Sequence, residues 1–275
     1  MKLKQQTLVL DDGFRVALTT AGHPAGIPLV FLHGLSVSAI AYEELFEELS
    51  YLGFYVIAPD APNHGNSSSL PWGHTVEDMA NVLARALTSL KLDKVVIAGH
   101  SMGGAMAVEF AALYPERVHA AVLIDAAAGK EHHEGIAIAP GRNMPTRAAR
   151  FALGGLVDVL GDGYRAMRSR THRERLSLLS TLHESVSGLR FVRAAYALTK
   201  ADTVPLLEKM RANSVPTAVI HAKCDQIVPY EAGVSAAALA GGKLFTVEGF
   251  HSWLLVDPEY AASLIQHAMW DAVAS

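Results

Sequence analysis

The sequence predicts an α/β domain built on a doubly wound, mostly parallel sheet, and three observations carry that prediction. Short β-rich runs alternate with longer helical patterns along most of the chain. Most of those runs are continuously apolar, as strands are when helices cover both faces of a parallel sheet. A length of 275 residues with 51% apolar side chains is enough for one large domain that carries an insertion.

Residues 7–10 and 14–20 flank Asp11-Asp12-Gly13, a turn-type linker, and read as a β-hairpin. Further strands are expected at 28–32, 54–58, 94–98, 120–124, 216–221 and 243–248, eight in all. Helices are expected at 39–51, 76–90, 102–114, 230–239 and 258–273. In the second of these, Val76, Met79, Ala80, Leu83, Ala86, Leu87 and Leu90 recur at helical spacing. The fourth is small and alanine-rich, so propensity rather than periodicity supports it.

One stretch breaks the alternation. From Ala126 to Asp202 strand signals vanish and the sequence becomes helix- and loop-like. The expected division is a core of residues 1–125 and 203–275 with a helical cap or lid of residues 126–202. That insertion holds twelve basic and seven acidic residues, a net +5 that leaves −9 on the rest of the chain. A solvated, arginine-rich helical face accounts for the excess; a lid that draws in anionic substrates or lipid headgroups is the sharper reading. Leu153, Leu156, Val157, Val159 and Leu160 suggest an apolar lid surface or the lid's own core.

Composition narrows the class. A formal net charge of −4 gives no reason to expect a nucleic-acid partner. Residues 1–6 turn polar before any apolar stretch could act as a signal peptide. No run reaches about 18 apolar residues, so no membrane span is expected. The lone Cys224 excludes an intramolecular disulfide and argues against a cysteine-based metal site. A cytoplasmic protein is the expectation.

The chemistry is concentrated in Gly99-His100-Ser101-Met102-Gly103, which follows the apolar run Val95-Val96-Ile97-Ala98 and precedes a helical pattern. A Gly-x-Ser-x-Gly turn between strand and helix is the nucleophile-elbow pattern, which projects the serine hydroxyl from the end of a sheet. Acyl transfer by such a serine needs a base, an acid to orient it, and donors for the oxyanion. His251, in Gly249-Phe250-His251 after the last strand, is the candidate base. Asp225, after the strand ending at His221, is the candidate acid, and the order Ser101, Asp225, His251 suits an elbow. Asp125 is the rival acid, although a strand-end carboxylate bonded to loop amides accounts for it. The backbone N–H groups of Leu35, after His33-Gly34, and of Met102 are the candidate oxyanion donors. His33 and His100 are expected to shape the backbone, and His64 to serve the turn at Gly65. His132-His133, between Glu131 and Glu134, reads as an exposed polar loop rather than a metal site.

Together, His33-Gly34, the segment from Asp60 to Ser67, Gly99 to Gly104, Asp225-Gln226-Ile227-Val228-Pro229 and Gly249-Phe250-His251 resemble the α/β-hydrolase superfamily, in a serine esterase-like branch with a helical cap. The resemblance implies an eight-stranded sheet, a cap over the site, no cofactor, and a Ser101–His251–Asp225 triad. It implies hydrolysis of a carboxylic ester through an acyl-enzyme, on a small or medium-sized, partly apolar small molecule. Ala222 stands where many members have glycine. Leu35-Ser36-Val37-Ser38 replaces the further glycines of lipase-like branches, closer to small-molecule esterases and carbon–carbon hydrolases. Ser101 argues against dehalogenases and the usual epoxide hydrolases, which place aspartate there. Same-fold alternatives are an acyltransferase, a perhydrolase or haloperoxidase, and a carbon–carbon hydrolase. An alternative of another class is a ligand-binding sensor that retains the triad. Oligomeric state is not legible in the sequence.

Overall fold

The structure, a computed structural model, describes residues 3–136 and 190–275. Its eight strands are β1 (Lys4–Val9), β2 (Arg15–Ala21), β3 (Ile27–Leu32), β4 (Phe54–Pro59), β5 (Val95–His100), β6 (Val118–Ile124), β7 (Thr217–Ala222) and β8 (Lys243–Val247). They form one sheet in the order β1-β2-β4-β3-β5-β6-β7-β8. The expected hairpin pairs antiparallel, from Lys4 opposite Thr20 to Val9 opposite Arg15, and β2 runs antiparallel to β4. Every later pairing is parallel, among them Leu29 with Val96 and Ala222 with Val247. Strand β1 begins three residues before the sequence predicts, because Lys4, Gln5 and Gln6 lie exposed on an edge and carry no apolar signal.

Helices cover both faces. A 3-10 turn (Ala39–Tyr42) leads into α1 (Glu43–Tyr51); α2 spans Val76–Ser89 and α3 Met102–Leu113. After them come α4 (Lys130–Ile136), α5 (Arg190–Leu198), α6 (Val204–Ala212), α7 (Tyr230–Ala240), α8 (Trp253–Val256) and α9 (Pro258–Ala274). Side chains alternate across the sheet with the two-residue period of a strand. Val30, Leu32 and Ile97 face a core with Met79, Phe110 and Leu207. Leu29, Phe31 and Val96 face the opposite core with Phe46, Trp253 and Met269. Helix α2 starts on a capping box, in which Thr75 accepts from the Asp78 N–H and the Asp78 carboxylate accepts from that of Thr75. Helices α6 and α8 have no counterpart among the elements read from the sequence.

Residues 137–189, with the five apolar lid positions from Leu153 to Leu160, lie outside the described residues. The described end of the expected cap shows where two of its arginines go. Arg190 donates to Ser69 Oγ at 2.9 Å and to the carbonyls of Gly65 and Ser67. Arg193 donates to Leu70 O at 3.1 Å, and its guanidinium lies 5.6 Å from the Trp72 ring centroid. Both charges therefore hold α5 against the loop after β4.

Helix α3 is buried along its length from Met102 to Ala112, and that includes Glu109. Burial, reinforced by Glu77 and opposed by Lys209, pushes the Glu109 carboxyl up to about 7. A folded-state value above the unfolded one means the native protein holds a proton that the unfolded chain has released. Stability conferred by that proton is present below about pH 4.5 and lost as pH rises through about 7. Glu109→Gln should therefore raise stability at pH 8 relative to wild type by about 1–2 kcal/mol, with little effect at pH 4.5, read from urea midpoints.

Candidate active site

Strand β5 ends at His100 and α3 begins at Met102, so Ser101 alone makes the turn between them. Its backbone sits at φ 56°, ψ −119°, a strained conformation for a residue with a Cβ. Two contacts impose it: the Ser101 N–H donates to Ile124 O at 3.0 Å, and the Ser101 carbonyl accepts from the Ala127 N–H at 2.9 Å. A Cβ on Gly99 would overlap the carbonyl of Gly103, and one on Gly103 would overlap that of Leu32. The two glycines let helix and strands meet at this distance, and Ser101 stays half-buried at the sheet's end.

Asp225 and His251 come together. The Asp225 Oδ2 lies 2.7 Å from His251 Nδ1, while Oδ1 accepts from the N–H groups of Ile227 and Val228, each at 2.8 Å. An ionised carboxylate only accepts, so His251 carries its proton on Nδ1 and its lone pair on Nε2. Burial alone would raise the Asp225 carboxyl; the electrostatic attraction and hydrogen bond of the His251 N–H, with the Val228 N–H, outweigh it and hold it below the ordinary range. The His251 ring lies 4.7 Å, centroid to centroid, from that of His100, the neighbour of Ser101.

The two expected oxyanion donors are neighbours of Ser101 in different ways, Leu35 through Gly34 and Met102 along the chain. A Cβ built on Gly34 would lie 3.6 Å from the Ser101 Cβ, which puts the Gly34–Leu35 peptide beside the serine. Met102 is the first residue of α3, where backbone N–H groups have no intrahelical acceptor. His64 grips the Leu35 carbonyl through Nε2 at 2.7 Å, and its Nδ1 faces Pro62 O at 3.0 Å. Burial, aided by His33, pushes the His64 ring down to about 4; a neutral ring has one N–H, and the shorter Nε2 contact to Leu35 is the one that braces this loop. His33 accepts from the Ala61 N–H through Nε2 at 2.8 Å and donates from Nδ1 to Gly34 O at 2.8 Å. Both of its nitrogens serve the backbone, as expected.

Asp125 is fully buried at φ 42°, with Oδ1 accepting from the Ala222 N–H and Oδ2 from the Trp253 indole N–H, both at 2.7 Å. It ties the segment leading to Asp225 to the segment following His251. Burial and the neighbouring Asp225 charge push its carboxyl well above the ordinary range. His221, also buried and held neutral by burial, donates from Nε2 to Val228 O at 3.0 Å and stands 3.6 Å from Asp225 and 3.9 Å from Asp125. Ligand-type atoms of Asp125, His221 and Asp225 fall within 4.8 Å of one another. The N–H donors already on both carboxylates make this set a hydrogen-bonded brace rather than an open metal centre.

His132 differs from its sequence expectation. Residues 131–133 lie in α4 instead of an exposed loop, and His132 is only 5% exposed. The physical reason is a long-range anchor: Thr203 accepts from the Gly129 N–H and gives its own N–H to His133 Nε2 at 2.9 Å, seating the helix. Burial pushes His132 down to about 4, with smaller contributions from His133 and His251. Neither His221 nor Trp253 is singled out by the sequence as part of this site. Each sits within four residues of a predicted site residue, and that adjacency is the only signal available.

A strand–serine–helix elbow at the centre of this sheet, with an acid and a histidine delivered from beyond β7 and β8, defines the class. The chain belongs to the alpha/beta hydrolase fold family, whose pattern matches residues 27–258. A protein of Mycobacterium phage D29, provisionally named a non-heme haloperoxidase, is 56% identical over 269 residues, 98% of this chain and 96% of its own. A non-heme chloroperoxidase of Streptomyces lividans is 27% identical over 267 residues, 92% of this chain and 95% of its own. Among solved structures, a thermophilic esterase from Thermogutta terrifontis superposes with a TM-score of 0.70 at 25% identity, covering 98% of this chain and 99% of that one. Among the described residues no helix is long and apolar enough to cross a membrane.

Asp125→Ala should leave two buried N–H donors without acceptors. The expected loss is about 2–4 kcal/mol of unfolding free energy, measurable by urea titration.

Proposed function

We propose that the protein is a serine hydrolase that cleaves a carboxylic ester of a small or medium-sized, partly apolar molecule. The observation that carries this reading is the 2.7 Å Asp225–His251 pair, which fixes the imidazole tautomer beside the Ser101 elbow. Ser101 Oγ attacks the carbonyl carbon while His251 Nε2 takes its proton. The N–H groups of Leu35 and Met102 receive the developing oxyanion. His251 returns the proton to the leaving alcohol, and the acyl-enzyme remains on Ser101. Water then gives a proton to His251, its oxygen bonds the acyl carbon, and the acid leaves as Ser101 regains its hydrogen. Asp225 stabilises the imidazolium in both halves. Residues 126–202 are proposed as the cap that selects the substrate.

A second reading is favoured by the names of the two haloperoxidase-type relatives. Hydrogen peroxide in place of water would resolve the same acyl-enzyme: one peroxide oxygen bonds the acyl carbon, its proton passes to His251, and a peracid leaves. The peracid would oxidise halide in solution and revert to the carboxylic acid. This route needs the same three side chains and adds only a different acceptor.

Ser101→Ala should lower turnover of p-nitrophenyl acetate by at least about 10³-fold, and retained turnover would remove the basis of the proposal. Asp225→Asn should cost about 10³–10⁴-fold, since it disturbs the tautomer, whereas Asp125→Asn should cost far less. Activity should fall as pH drops and His251 takes up a proton; a flat profile through the histidine range counts against His251 as base. Product analysis with acetate, peroxide and bromide separates the two readings: bromination lost in Ser101→Ala supports the peroxide route.

A further inference from the structure

Between the loop beside Ser101 and the loop carrying His251 runs a buried chain of three hydrogen bonds. The Gly34 N–H reaches Tyr42 Oη at 3.2 Å, Tyr42 Oη lies 2.8 Å from His100 Nδ1, and His100 Nε2 lies 2.9 Å from the His251 carbonyl. Its two ends, with a neutral His100 between them, fix its polarity. A backbone N–H can only donate and a carbonyl can only accept. Reading inward from the ends, Tyr42 accepts from Gly34 and donates to His100 Nδ1, and His100 donates from Nε2 to His251. With His100 neutral, a single assignment of hydrogens satisfies all three bonds, and it requires an intact tyrosine hydroxyl. The surroundings favour both states. Burial holds the phenol of Tyr42 well above the ordinary tyrosine range, and burial with His251 nearby pushes the His100 ring down to about 3.

We propose that Tyr42 and His100 are positioning residues that set the distance between the oxyanion loop and the His251 loop across Ser101. This inference rests on the serine-hydrolase reading. His100 occupies the variable place in the Gly-x-Ser-x-Gly turn, and next to a nucleophile its imidazole invites a role as base. The bonds rule that out: Nδ1 is engaged by Tyr42 and Nε2–H by a carbonyl. What the ring does instead is bridge. Tyr42 is 1% exposed and His100 4%, so water does not compete for these bonds. Ring packing holds the bridge laterally, with Tyr42 4.8 Å from Phe31 and 5.9 Å from His100, centroid to centroid. Stretching or losing one link lets the two loops drift, and transition-state contacts are the ones most sensitive to such a shift.

Asparagine and glutamine at position 100 separate the two halves of the bridge. Asn places an acceptor near the former Nδ1 and keeps the Tyr42 bond; Gln places a donor near the former Nε2 and keeps the His251 bond. The experiment measures kcat and KM for p-nitrophenyl acetate in Tyr42→Phe, His100→Asn, His100→Gln and the double variant Tyr42→Phe/His100→Asn. Thermal unfolding of each accompanies the kinetics, and assays are run well below every melting temperature. Each single variant should lose about tenfold in kcat with KM changed less than about twofold. A chain broken at one link is already broken, so the double variant should be no slower than the worse single. Multiplying losses in the double variant, or an unchanged kcat in Tyr42→Phe, overturns the bridge. Ser101→Ala run alongside separates the failures: if it retains turnover, the hydrolase reading itself falls. If it is inactive while the losses multiply, only the bridge falls.

Discussion

The backbone of Ser101 is held at φ 56° between the carbonyl of Ile124 and the amide of Ala127, and the surrounding elements are arranged to keep it there. A residue with a Cβ in such a conformation costs of order 1–3 kcal/mol, and it persists only where packing overdetermines it. Here the packing is the seating of α3 on β3 and β5 through Gly99 and Gly103, where no side chain beyond hydrogen fits. The buried length of α3 then supplies the apolar contact that offsets the strain. Because Ile124 lies at the end of β6, the same hydrogen bond ties the serine to the strand that leads into Asp125.

Around that peptide the titratable groups divide by their neighbours rather than by their type. His33, His64, His100 and His221 are buried, each with at least one nitrogen directed at a backbone group, and burial pushes each toward the neutral form. His251 is equally buried but directs Nδ1 at a carboxylate. The two aspartates separate in the same way. Asp225 meets a histidine and two amides and stays ionised, while Asp125, buried beside that charge, is pushed toward its protonated form. Opposed environments give two chemically identical side chains different work, one facing a proposed base and the other bracing backbone.

The strands were legible because a doubly covered strand must be apolar at nearly every position, and Val95–Ala98 or Ala120–Ile124 can be little else. Exposed Lys4, Gln5 and Gln6 carry no such signal, so the sequence shows only part of the edge strand. Helix α8, at four residues, is too short for any periodicity to register. Of the site, the elbow and the segments holding Asp225 and His251 stood out because turn chemistry is local. The contacts of Tyr42 with His100, across 58 residues, and of Trp253 with Asp125, across 128, are set only by the closed sheet. The burial of His132 is hidden from the sequence for the same reason: the threonine that seats its helix is some 70 residues away.

The order of strands also fixes when the site comes into being. Synthesis proceeds at roughly 5–20 residues per second from the N-terminus, and a chain can begin to fold as it emerges. The six strands to Ile124 contain Ser101 and its strained turn, while β7 and β8, which lead to Asp225 and His251, join one edge of the sheet last. Between the synthesis of Ser101 and that of Asp225 the chain therefore carries the serine with neither of those two groups present. Under the proposed function, reactivity waits for completion of the sheet.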